Sequence, residues 1–189
     1  EEEKFREDEG IVYSYREKLH AAQKISLENI KLLITPLGKP PSNCFFNSFS
    51  HSNKLYGFIG EIDALDSVLE TSLKAHSAQL YISQQLKKGS FDIDKTQALF
   101  TLTHLQLVSV DSSGDVHTLN LSNSQQTTKE ETLTDGSGIL LCEQGSAVRK
   151  DIDVYIKNYQ ELNLEELCHD IFNLFPSGVY EPFIILKKG

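Results

Sequence analysis

The sequence predicts an α+β fold: a mainly antiparallel sheet flanked by helices, with an N-terminal helical arm. Three observations predict it. Strand-like stretches follow one another through turns rather than crossover helices, which argues against a doubly wound parallel sheet. A long helical stretch with clear end signals separates two such strand groups. Ahead of the first strand, Phe5, Val12 and Leu19 recur at seven-residue spacing with Tyr15 and Ala22 beside them. On this reading residues 1–28 form the arm, a coiled-coil or docking helix, and residues 29–189 form one α+β domain.

Taken in order, Ile30 to Pro36 reads as a strand with Ile30, Leu32 and Ile34 on one face. Pro36, Pro40 and Pro41 then end regular structure, because proline lacks the amide donor and fixes φ. Ser42 to Asn53 reads as a loop whose Cys44, Phe45, Phe46 and Phe49 plug a core. Lys54 to Ile62 alternates as a second strand. Asp63 is placed to cap a helix reaching Lys88, with Leu65, Val68, Leu69, Leu73, His76, Leu80 and Leu86 as its apolar stripe. Lys87, Lys88 and Gly89 supply last-turn cations and a glycine stop.

Leu99 to Ser122 reads as a hairpin turning at Asp111-Ser112-Ser113-Gly114-Asp115. Ser124 to Gly138 is polar, with only Leu133 as an apolar anchor, and reads as a mobile surface loop. Ile139 to Cys142 is a short inner strand. Two helices follow, one over Val148 to Gln160 and one opening at Asn163, where Glu166 has capping-box spacing. Phe183 to Leu186 closes the chain as a strand.

Composition narrows the partners. Acidic residues outnumber basic ones 27 to 18, a net charge of −9, which disfavours nucleic acid and anionic membrane surfaces. No apolar run is long enough for a membrane-spanning helix. Cys44, Cys142 and Cys168 are odd in number and widely spaced, so a disulfide framework is not expected and an intracellular setting, cytoplasmic or nuclear, is. Asn120-Leu121-Ser122 is a single glycosylation sequon, which only a secreted chain would use. The chain has no methionine and opens on Glu1, which is not a small residue of the kind exposed by initiator trimming, so it is expected to be a piece of a longer protein.

Catalytic and metal signatures fail one by one. The six histidines show no H-x-x-x-H spacing, and no close Cys or His pairs mark a zinc site. Gly57-Phe58-Ile59-Gly60 has G-x-x-G spacing, but no basic residue lies between the glycines and Glu61 follows, which disfavours phosphate contact. Glu61, Asp63 and Asp66 do not match a calcium loop. Cys168 and Cys142 sit on apolar faces, leaving Cys44 as the cysteine to test for reactivity.

The expectation drawn from this is a non-catalytic protein–protein interaction domain, a subunit of an intracellular complex, with no cofactor and no metal. Its partners would be other protein subunits, met through Phe5, Val12, Tyr15 and Leu19 of the arm. The alternatives are a small enzyme with a site assembled from sequence-distant residues, or a processed extracellular domain.

Overall fold

The computed structural model describes residues 22–37, 40–141 and 180–189. They form an α+β architecture of two antiparallel sheets packed face to face, with two helices against the outer face of the larger sheet. In chain order the strands are β1 (Gln23–Leu27), β2 (Ile30–Leu37), β3 (Cys44–His51), β4 (Lys54–Ile62), β5 (Leu102–Asp111), β6 (Asp115–Ser122), β7 (Gln125–Thr132), β8 (Gly138–Leu141) and β9 (Glu181–Lys188). Helices α1 (Val68–Lys88) and α2 (Ile93–Phe100) lie between β4 and β5. One sheet runs β1-β2-β9-β8 and the other β3-β4-β5-β6-β7.

Period-two alternation sorts the larger sheet's side chains between two cores. Phe46, Leu55, Ile59, Val108, Val110 and Val116 point to the smaller sheet and meet Ile30, Leu32, Ile34, Ile184 and Leu186 there. Phe45, Phe58, Leu105, Leu107 and Leu121 point the other way, to Ala75, Ala78, Ile82 and Leu86 of α1. The adjacent Phe45 and Phe46 therefore serve opposite cores, both fully buried as the aromatic-plug reading expects.

Several segments differ from the sequence reading. Residues 23–27, placed in the arm, form β1, paired with β2 in a tight hairpin through Glu28 at positive φ. Ser42 to Asn53 is no loop: β3 pairs with β4 over its whole length, and Phe45 and Phe46 need opposite faces that only an extended strand supplies. Ser124 to Gly138 is largely β7, an edge strand on β6. Its threonines suit a half-exposed pleat, and its charges protect an open sheet edge. Helix α2 is missing from the sequence reading, whose hairpin begins at Leu99 near the helix's end; Asp92 caps it by accepting from the Lys95 amide. The β5–β6 hairpin, β8 and β9 stand where expected. Phe5, Val12, Tyr15 and Leu19, and the helices expected over 148–160 and from 163, lie outside the described residues.

Helix α1 starts later than expected and buries a different face. Ser67, not Asp63, is its N-cap, accepting from the Glu70 amide at 3.2 Å. Gly89 ends it in the left-handed region as foreseen, with its amide returned to Leu86. The buried side is Thr71, Ser72, Ala75, Ala78, Gln79, Ile82, Ser83 and Leu86. Leu65, Val68, Leu73 and Leu80 are 40–54% exposed. Small residues win that face because a helix lying flat on a sheet must bring its backbone close, and two of the polar ones, Gln79 and Ser83, bond β3. Gln79 donates to the Phe46 carbonyl at 3.1 Å, and Asn47 donates to Ser83 Oγ at 2.9 Å. Ile82→Ala is accordingly expected to cost about 2–5 kcal/mol and Leu73→Ala about 0.5 kcal/mol, read as shifts in the urea unfolding midpoint. Equal losses would reverse the assignment of the two faces.

Candidate functional site

Strand register builds the site. Cys44 pairs with Glu61, Glu61 with His104, His104 with Ser122, and Ser122 with Gln125, a single row across all five strands of the larger sheet. Two residues further in, Phe46, Ile59, Gln106, Asn120 and Thr127 form the next row. Both rows face the smaller sheet, because residues two apart on a strand share a face. The face is thus apolar at the Leu55, Val110 and Val116 end and polar at the Glu61 end. There a cleft of about 520 Å³ opens, closed on the other side by Tyr180 and by Pro182 of β9.

A bulge sharpens the centre of the first row. Glu61 pairs with His104 but Ile62 pairs with Leu102, so Thr103 is an extra residue on β5. Bulges re-aim side chains at such ends. Thr103 Oγ1 donates to Glu61 Oε1 at 3.2 Å and lies 3.2 Å from His104 Nδ1, which is itself 3.8 Å from Glu61 Oε1. Glu61 and His104 are each partly exposed and reachable from the cleft.

The floor beside them is neutral. Burial, followed by the negative charge of Glu61, pushes the Cys44 thiol from 9.0 up to about 12. Burial also raises Tyr180, whose hydroxyl lies against that thiol. Both groups stay protonated at neutral pH. The Tyr180 hydroxyl is buried without an oxygen or nitrogen partner among the described residues. Cys44, expected in a loop and singled out for reactivity, is instead a buried strand residue held as a poor nucleophile.

This carries a pH signature. The folded thiol keeps a proton that the unfolded thiol gives up, so its contribution is whole below pH 9.0 and is lost as pH rises toward about 12. Stability is expected to fall over that window, and Cys44→Ala to make the fall shallower in unfolding titrations. A wild-type and variant decline of identical slope would count against a buried protonated thiol.

The sequence reading named Glu61 in an acidic knot and after the G-x-x-G spacing, and counted His104 only as one of six histidines; register joins them. Asp63 and Asp66 of that knot are exposed and stand outside the cleft. Gly60 lines the cleft from within β4, where a strand, not a loop, carries the G-x-x-G spacing. Asn120 and Ser122, noted only as a glycosylation sequon, both line the cleft. The period-two alternation of β6, with His117, Leu119 and Leu121 on one face and Thr118, Asn120 and Ser122 on the other, was the signal that could have found this polar face.

No protein-family model matches the sequence, and no curated protein does. Solved structures do. The chain is similar to RsbX in complex with magnesium at 13% identity and a TM-score of 0.63, over 89% of this chain and 100% of that one. It is similar to the RsbU and RsbW domains of Rv1364c from Mycobacterium tuberculosis at 10% identity and a TM-score of 0.65. That match covers 90% of this chain and 62% of the other. The SiaA-PP2C domain of Pseudomonas aeruginosa gives 11% identity and a TM-score of 0.55, over 82% and 85% of the two chains.

These likenesses establish the fold, that of PP2C-like phosphatase domains. They overturn the expectation of a non-catalytic interaction domain, since the architecture is one on which phosphatase domains are built. That expectation rested on missing local motifs, and a site assembled across strands leaves no local motif. Magnesium, named with RsbX, takes near-octahedral oxygen ligands, with carboxylates prominent among them. The described cleft offers one carboxylate, Glu61, beside an imidazole, a neutral thiol and a neutral phenol. Among the described residues no cluster of His, Cys, Asp or Glu could hold a metal ion. The described donors do not fit that ion.

Proposed function

We propose that the chain is a phosphatase-like domain whose cleft, at Glu61 and His104, receives a phosphorylated polypeptide. The observation that carries this reading is the donor-rich double row on a phosphatase-like fold. Phosphate oxygens accept hydrogen bonds and cannot donate them when ionised. Gln106, Asn120 and Gln125 amides, Ser122 and Thr127 hydroxyls and the Tyr180 hydroxyl all offer donors to the same space. His104 adds a ring nitrogen to that set, and a hydrogen bond to an ionised phosphate oxygen is about twice as strong as a neutral one. Glu61 opposes an anion; Thr103 donates to its Oε1, and His104 lines the cleft beside it.

Fluorescence polarisation with paired phosphorylated and unphosphorylated peptides tests this, alongside phosphate release from the same peptides. Preference for the phosphorylated member, reduced about tenfold in His104→Ala, is the expected result, since a lost charged hydrogen bond is worth about 1.5–3 kcal/mol. Equal affinity for both members, with no phosphate released, would sink the reading.

The surroundings of the domain are part of the same proposal. One solved neighbour belongs to the bacterial stressosome, described as a modular system adapted to control secondary messenger signalling. No helix among the described residues is long and apolar enough to cross a membrane. An intracellular setting with other protein subunits agrees with both, and Phe5, Val12, Tyr15 and Leu19 are the residues proposed to meet those subunits. Deleting residues 1–20 should release such a subunit while leaving a cooperative unfolding transition; retention of the subunit would remove the arm from the proposal.

A further inference from the structure

We propose that the cleft works without a divalent cation: the Cys44–Tyr180 pair forms a neutral floor beside Glu61, and the ligand is met by hydrogen-bond donors alone. This rests on the cleft being the ligand site. The first strand row begins with Cys44 opposite Glu61, and Tyr180 closes over both just before β9. Those are the positions flanking the cleft's single described carboxylate, and a hard cation there would need further anionic oxygens. It meets a sulfur and a phenol that burial holds protonated. A protonated thiol is neither a hard ligand nor a charge to balance the metal. Glu61 is also committed elsewhere, with Thr103 donating to its Oε1 at 3.2 Å and His104 Nδ1 at 3.8 Å from the same atom. A cation bound to that oxygen would displace the threonine proton. The Tyr180 hydroxyl, buried against the Cys44 thiol, then has a use as a donor to a ligand oxygen.

Manganese is the probe, because it shares magnesium's oxygen preference and its free ion is counted by electron paramagnetic resonance. Titrated against the full chain up to about 1 mM, the weak end of protein sites for divalent cations, manganese should show no saturable binding that depends on Glu61. Phosphopeptide affinity should be the same with manganese and with a chelator. The double variant Cys44→Asp, Tyr180→Asp, which places carboxylates on either side of Glu61, should gain a manganese site at least about tenfold tighter than wild type.

Saturable wild-type binding abolished by Glu61→Gln would overturn the proposal, whether or not the double variant folds. Saturable binding that Glu61→Gln leaves intact lies away from the cleft and agrees with it. The two readings fail separately. Loss of all phosphopeptide preference, with no Glu61-dependent manganese, strikes the functional reading alone. Phosphopeptide binding weakened about tenfold by chelation, with Glu61-dependent manganese, strikes this inference and strengthens the phosphatase-like reading.

Discussion

Gly60→Ala is expected to destabilise the domain by about 3 kcal/mol, the upper part of the usual range for overpacking. Gly60 faces Phe45 across β3 and β4. A Cβ built on Gly60 would stand 2.6 Å from Phe45 Cε2 and 2.8 Å from Cε1, and would collide with Cζ. The ring has nowhere to go. It is fully buried and packs edge-on to Phe58 at 6.1 Å between centroids, under Ala75, Ala78 and Ile82 of α1. Relief must come from the backbone, and β4 carries Glu61 at the next position. The substitution should therefore lower the urea midpoint and weaken cleft binding together. Gly57 is the internal control: its nearest neighbours are the terminal carbons of Leu32, at 3.0 and 3.2 Å, which can yield by rotation. An unchanged midpoint for Gly60→Ala would mean that the Phe45 ring swings freely.

Phe46→Ala is expected to cost about 3–5 kcal/mol, the loss found when a buried aromatic leaves a cavity. Phe46 is fully buried between the two sheets, with Ile59, Leu32 and Ile184 in the same cluster. It sits one row in from Cys44 and pairs with Ile59, which lines the cleft. Phe49 provides the contrast. It is half-buried at the rim, stacked on Tyr56 at 5.1 Å and under the Lys87 ammonium at 4.9 Å. Phe49→Ala should cost about 1 kcal/mol, the worth of such a stacked, partly exposed pair. Equal losses at the two sites, measured by denaturant unfolding at constant m, would contradict the burial pattern.

The contrast between Phe46 and Phe49 also shows where local reading ended. Both stood out in the sequence as aromatics in a polar stretch, and a core role for the group was legible from composition alone. Their strand was not, because Ser42 to Asn53 mixes serines and asparagines with aromatics and fits no clean alternation. β4 imposed extended structure by pairing with it. The same holds for β7, whose run of glutamines, threonines and charges carries no hydrophobic face and is a strand because β6 offers an edge. Helix α1 was legible in existence and in its stop at Gly89, while its buried face was not. A leucine stripe favours deep side-chain packing against another helix, but a sheet surface admits the side with Ala75 and Ala78.

By itself, then, the sequence determined the α+β class, the antiparallel habit, the turn at Asp111 to Asp115 and the apolar strands β2, β8 and β9. Each rests on forces between near neighbours: turn chemistry, side-chain alternation and capping. Tertiary structure alone decided the cleft. Cys44, Glu61, His104, Ser122, Gln125 and Tyr180 have no shared local spacing, and only strand register and sheet packing bring them together. Register is set by the summed burial of two whole faces rather than by the residues in any one row. For that reason the cleft could be absent from every local motif and still be present in the fold.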